Sequence, residues 1–226
     1  MLASVVLLAA GCSEGDFGES LLEPRQTAAT ASAPSVPAGG VHVPAAAPLT
    51  VADSSRFSTG DATAESAAQP SGAAHASASL AGIGDGWSEF TLGHVVAAGR
   101  AAAQDVGVTF TVDYDYELQA PESNVAAARL TGQVTFKVVV LDSQRRILRR
   151  QVIADAIDDD GSVRNAGREQ IEFDLTLAPG RAYHFIIAGR TQMTRQVGNS
   201  DAGPTDAPAS ATLRVTSASI DIVPRD

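Results

Sequence analysis

Few side chains in this chain are suited to chemistry, and the most reactive of them is unique. Cys12 is the only cysteine in 226 residues. A lone thiol forms no intramolecular disulfide, no CxxC redox pair and no cysteine-ligated zinc site. The best metal candidate is the run Asp158-Asp159-Asp160-Gly161 with Asp155 just upstream. Hard carboxylate oxygens before a glycine turn suit calcium. An EF-hand register fails, because Ala156 would fill its first position and Gly167 its twelfth. What remains is an acidic solvated loop or a weak calcium site of another kind, built from Asp155, Asp158 and Asp160. Arg145, Arg146, Arg149 and Arg150 form a basic knot that could pair across a hairpin or bind anionic lipid or wall polymers. His94 and His184 stand without a neighbouring base or nucleophile, and His42 and His75 lie in a polar stretch as solvated residues. No Gly-x-Ser-x-Gly, Ser-x-x-Lys, His-Glu-x-x-His or glycine-rich phosphate loop occurs. The chain therefore reads as a non-enzyme without a cofactor.

The position of Cys12 gives it a role. Val5-Val6-Leu7-Leu8-Ala9-Ala10 is a short apolar run of the kind found in secretory signals. Ala9-Ala10-Gly11-Cys12 resembles the bacterial lipobox, in which small residues precede an acylated cysteine. The resemblance implies that residues 1–11 are a lipoprotein signal peptide, cut before Cys12. It implies a diacylglycerol on the thiol and an acyl chain such as palmitate on the new amino group. Each buried methylene contributes about 0.8 kcal/mol, so two or three chains hold a domain at a membrane. No Lys or Arg precedes the run, and a start upstream of Met1 would supply one. Ser13, in place of the aspartate that favours inner-membrane retention in enterobacteria, points to the outer membrane.

Charge narrows the partners. The formal net charge is -10, and fifteen of the sixteen basic residues are arginine. No basic face is implied, and nucleic acid is not expected as a partner. After Ala10 no apolar run approaches the roughly 20 residues of a membrane-spanning helix.

From Cys12 to residue 83 the composition is Ala, Ser, Thr, Pro and Gly, with Phe17 and Phe57 the only aromatics. Such a segment lacks the bulk to offset its ordering entropy, so 12–83 is expected to be a disordered tether. The folded domain is expected over 84–226. VTFTVDYDYEL places Val108, Phe110, Val112, Tyr114, Tyr116 and Leu118 on one face, a strand of period two. The Tyr114 and Tyr116 pair would stack on sugars if exposed, but the alternation sends it to the core. LTGQVTFKVVVL and IEFDLTL repeat the pattern, with a turn at Asp142-Ser143-Gln144, a returning strand ILRRQVIADAI and a polar loop DDDGSVRNAG. Trp87, Phe90 and Leu92 suggest a first strand, while GHVVAAGRAAAQ fits either an irregular strand or a helical turn. ATLRVTSASIDIV changes parity, and a bulge near Thr216-Ser217 would restore one buried face. Seven short strands without a long amphipathic helix predict an all-β, antiparallel β-sandwich.

One stretch is more specific. Leu177-Ala178-Pro179-Gly180-Arg181-Ala182-Tyr183 sits between two strands. Leu-x-Pro-Gly-x-x-Tyr resembles the E–F corner of fibronectin type III and related immunoglobulin-like domains. The resemblance implies a seven-stranded immunoglobulin-like sandwich. In it Leu177, Pro179 and Gly180 shape the corner, and the Tyr183 hydroxyl bonds to backbone upstream. The expected function is a binding or structural module displayed on a flexible stalk at the bacterial cell envelope. Its partner there would be an envelope protein or polysaccharide. The alternative is an accessory subunit of an envelope secretion or surface-structure complex.

Overall fold

A computed structural model describes residues 35–45, 47–99, 102–121, 128–158, 161–197 and 208–225. Among them are nine β-strands and no helix. They are β1 (Val41–Val43), β2 (Val51–Ala68), β3 (Ala74–Ala97), β4 (Gln104–Ala120) and β5 (Ala128–Asp142). Then come β6 (Ile147–Asp158), β7 (Gly161–Leu177), β8 (Ala182–Val197) and β9 (Ala209–Pro224). All the strand pairings are antiparallel, in the order β6-β5-β8-β3-β9-β4-β7, with β2 against β3 and β1 against β9.

The sheet folds back on itself into two layers because β3 belongs to both. Its first half, Ala74–Leu80, pairs with β9, and its second, Gly84–Ala97, pairs with β8. β2 follows β3 through the bend, where their register shifts between Gly60 and Ala62. Gly60 has φ +63°, and a Cβ there would meet the Ile83 carbonyl oxygen. One layer is thus β2-β3-β8-β5-β6 and the other β3-β9-β4-β7. β4 and β9 pack against β5 and β8 across the core. Phe90, Leu92, Phe110, Phe136, Phe185 and Ile220 are fully buried between the layers. Each such side chain contributes about 1.5–3 kcal/mol by burial.

Four sequence expectations change. The tether expected over 12–83 is sheet from β1 onward; residues 12–34 lie outside the described residues. The expected boundary at 83/84 falls inside β3. The periodicity is present in AHASASL, with Ala74, Ala76, Ala78 and Leu80 buried and Ser77 and Ser79 on the other face. It is carried by methyl groups too small to stand out as an apolar run. These residues gain from ladder hydrogen bonds and from close approach of the layers rather than from bulk. Among the described residues the sandwich accordingly has nine strands rather than seven. The polar loop expected over DDDGSVRNAG, residues 158–167, is from Gly161 onward the start of β7, whose residues 161–170 pair with β4 in continuous register.

The central strands keep the immunoglobulin-like arrangement: β4 beside β7, and β6-β5-β8 in the facing layer, the places of strands B, E, C′, C and F. The outer strands differ. β3, which precedes β4, lies beside β8, and β9, the last strand, lies beside β4. In β9 the register against β4 skips Thr216, which restores burial from Val215 to Ala218, Ile220 and Ile222.

Candidate functional site

The outer face of the five-stranded layer carries the most organised polar surface. β3 alternates there: Phe90 and Leu92 enter the core, while Asp85, Trp87 and Glu89 project outward. Trp87 thus lies on the outer face of this strand, at a parity opposite to that of Phe90 and Leu92. β2 places Ser55 beside Glu89 and Phe57 beside Trp87. β8 places Arg190 beside Glu89 and Gln192 beside Trp87, and β5 adds Thr135 and Gln133 to the same two rows.

These side chains form a connected surface. The Phe57 and Trp87 rings stack with centroids 6.1 Å apart and planes 23° from parallel. The Arg190 guanidinium carbon lies 4.9 Å from the Trp87 ring centroid, within cation–π range. An Arg190 Nη2 donates to Gln192 Oε1 at 3.2 Å, and Glu89 Oε2 lies 3.9 Å from Nη1. Ser55 Oγ donates to Glu89 Oε1 at 2.6 Å. Asp85 Oδ1 accepts from Thr194 Oγ1 at 2.6 Å and from Gln192 Nε2 at 3.3 Å. Burial pushes the Arg190 guanidinium below its ordinary value, and the Glu89 and Asp85 carboxylates oppose that shift. It remains charged at any working pH. Phe57, on the edge strand β2, is 45 % exposed beside Trp87.

The residues singled out from the sequence do not converge on one site. Cys12 and Asp160 lie outside the described residues. Asp155 stands on β6, where its Oδ1 accepts from Gln133 Nε2 and Thr135 Oγ1, both at 3.4 Å. Asp158 ends β6. No group of three His, Cys, Asp or Glu that could hold a metal ion occurs among the described residues. The arginines separate. Arg145 holds the β5–β6 turn with φ 61°. Arg146 donates through Nε and Nη2 to Asp142 Oδ2, both at 2.7 Å. Burial alone would raise the Asp142 carboxyl. The Arg146 and Gln144 backbone N–H groups and the Arg146 guanidinium outweigh it and hold the group below the ordinary carboxylate range. Arg149 donates to its neighbour's carbonyl at Leu148 and lines a cleft of about 360 Å³ with Asp105, Asp174 and Arg225. In that cleft Arg225 pairs with Asp174 at 2.5 Å. Arg150 lies across β6 on the outer face, opposite Val139.

Tyr114 and Tyr116 are buried with parallel rings 6.5 Å apart, so they offer no sugar platform. At the corner, Leu177 and Tyr183 are buried, Gly180 has φ 69°, and Tyr183 Oη accepts from the Ala178 N–H at 2.7 Å. His94 is buried and His184 half-buried, and burial lowers both, with Arg145 adding to the shift at His184. His42 belongs to β1, where Nδ1 lies 2.7 Å from Asp221, rather than to a solvated tether.

Comparison with known proteins gives weak structural likenesses alone. No family model matches the chain, and no curated protein matches it. Among solved structures it is similar to the enzymatically active domain of tailspike protein 4 of bacteriophage CBA120. That match has 9% identity and a TM-score of 0.28, and covers 78% of this chain and 20% of that one. It is also similar to a structure of carbohydrate-binding modules from the β-sandwich superfamily. There the identity is 12% and the TM-score 0.23, over 76% of this chain and 57% of that one. The chain thus spans less than two thirds of both.

Proposed function

We propose that this is a lipid-anchored protein of the bacterial cell envelope whose β-sandwich is a glycan-binding module. The observation that carries the reading is the Phe57–Trp87 pair, outward on a sheet face and ringed by Ser55, Asp85, Glu89, Arg190 and Gln192. A core has no need of an outward aromatic pair, Phe57 exposed and Trp87 half-buried, held in place by an arginine. A pyranose ring presents a face of C–H groups, which packs on an aromatic ring, and an equatorial rim of hydroxyls. Carboxylate, amide and guanidinium groups recognise such hydroxyls in pairs. The face holds all three beside the rings. The anchor rests on Cys12 and its flanking residues.

The test is retention of the full-length protein on insoluble envelope and capsular polysaccharides. Trp87→Ala and Phe57→Ala are each expected to weaken retention about tenfold, equivalent to about 1.4 kcal/mol. Unchanged retention in both would remove this face from the reading. Metabolic labelling with an alkyne fatty acid addresses the anchor. Label is expected on the wild type and not on Cys12→Ala, and label on neither would end the lipoprotein proposal. The accessory-subunit alternative draws on one observation, the outer edge of β7, which no other strand covers among the described residues.

A further inference from the structure

We infer that the protein forms a two-fold dimer through the outer edge of β6. Among the described residues β6 pairs with β5 on one side only. Its register against β5 skips Leu148 and Ile153. Those two bulges reset the alternation. Ile147, Arg150, Val152, Asp155 and Ile157 come to lie opposite Leu141, Val139, Lys137, Thr135 and Gln133, which share the side of β5 away from the main core, where Lys137, Val139 and Leu141 are themselves buried. In five successive rows the edge strand therefore reads apolar, cation, apolar, anion, apolar. Ile147, Val152 and Ile157 are 46%, 42% and 63% exposed, and both Arg150 and Asp155 are exposed.

That order is self-complementary. A two-fold axis through Val152, normal to the sheet, brings Val152 against Val152 of the partner subunit. It brings Ile147 against Ile157 of the partner subunit, and Arg150 against Asp155 of the partner subunit, each twice. All three exposed apolar side chains are covered and both charges are paired. A parallel, in-register alignment would instead set Arg150 against its own copy and Asp155 against its own, which is unfavourable. The bulges interrupt the ladder and guard the edge against indiscriminate strand addition. Register is then chosen by the five side-chain rows. Because the contact is isologous it closes at two subunits. It also turns both outer faces the same way, with the two Phe57–Trp87 pairs roughly 40 Å apart by strand spacing. The dimer does not depend on what those faces bind.

The test is sedimentation velocity of the full chain carrying Cys12→Ser, from micromolar to near-millimolar concentration. A concentration-dependent monomer–dimer equilibrium is expected. Arg150→Asp alone and Asp155→Arg alone should each weaken it about tenfold or more by opposing like charges. The double exchange should restore it to within about threefold of the parent. Val152→Lys, at the axis, should leave monomer with an unchanged circular dichroism spectrum. Monomer at every concentration overturns the inference. So does a dimer indifferent to the single exchanges, or one that the double exchange fails to restore.

Discussion

Gly189→Ala is expected to destabilise the domain by about 3 kcal/mol, at the upper end of what one extra methyl costs in a packed core. Gly189 lies on the core side of β8, directly between Phe90 of β3 and Phe136 of β5. The two rings lean over it with centroids 6.3 Å apart. A Cβ at this position would lie 2.4 Å from Phe90 Cζ and 2.5 Å from Leu213 Cδ2. Phe90 belongs to one layer and Leu213 to the other, and both are buried. The added methyl is a wedge between layers, and neither neighbour can retreat without disturbing a second ring. Replacing glycine also restricts the unfolded chain, which opposes the loss by about 0.4–1 kcal/mol. The clash is the larger effect. For a domain of this size the melting midpoint should fall by about 6–12 °C. Calorimetry of the purified variant checks it, and an unchanged midpoint would mean that the layers are not closely packed at this point.

What could be read from the sequence depended on side-chain size. β4 and β5 alternate large apolar residues with polar ones, and both were legible. So was β9, where the parity change at Thr216 required a bulge and the register skips that residue. β2 and the first half of β3 were not legible. Their alternation runs through Ala and Ser, and composition weighs such residues as disorder. β2 is a regular strand only because β3 lies beside it, and β3 is fixed by β8 and β9, from 85 to 141 residues away along the chain.

The candidate site failed to show for a related reason. Phe57 and Trp87 are thirty residues apart, and Arg190 comes from the far side of the sequence. No motif spacing joins them; the register of three strands does. One local signal was available. Asp85, Trp87 and Glu89 share the parity opposite to Phe90 and Leu92, which already assigns the tryptophan to the outer face. The arginine knot shows the converse. Four arginines within six residues look like one patch, yet the turn at Arg145 and the bulge at Leu148 send Arg146, Arg149 and Arg150 to different surroundings.

Tyr183→Phe removes one oxygen and is expected to cost about 1–3 kcal/mol. The chain leaves β7 at Leu177 in one layer and enters β8 at Ala182 in the other. Across that corner the Ala178 N–H, past the end of the β4–β7 ladder, donates to Tyr183 Oη at 2.7 Å. Phenylalanine fills the same space but leaves this donor without its acceptor. The corner is also held from β3, since Gly180 N–H donates to Gly99 and Ala98 N–H donates to the Arg181 carbonyl. The variant should therefore keep its fold and lose stability, with a lower urea midpoint and an unchanged m-value. An unchanged midpoint would show that the hydroxyl holds nothing. Gly189 lies six residues further along β8, about 20 Å away at strand rise. The two losses should then add to within about 0.5 kcal/mol in the double variant. A larger departure would mean that the corner sets the spacing of the layers along the whole length of β8, so that loosening one end relieves the wedge at the other.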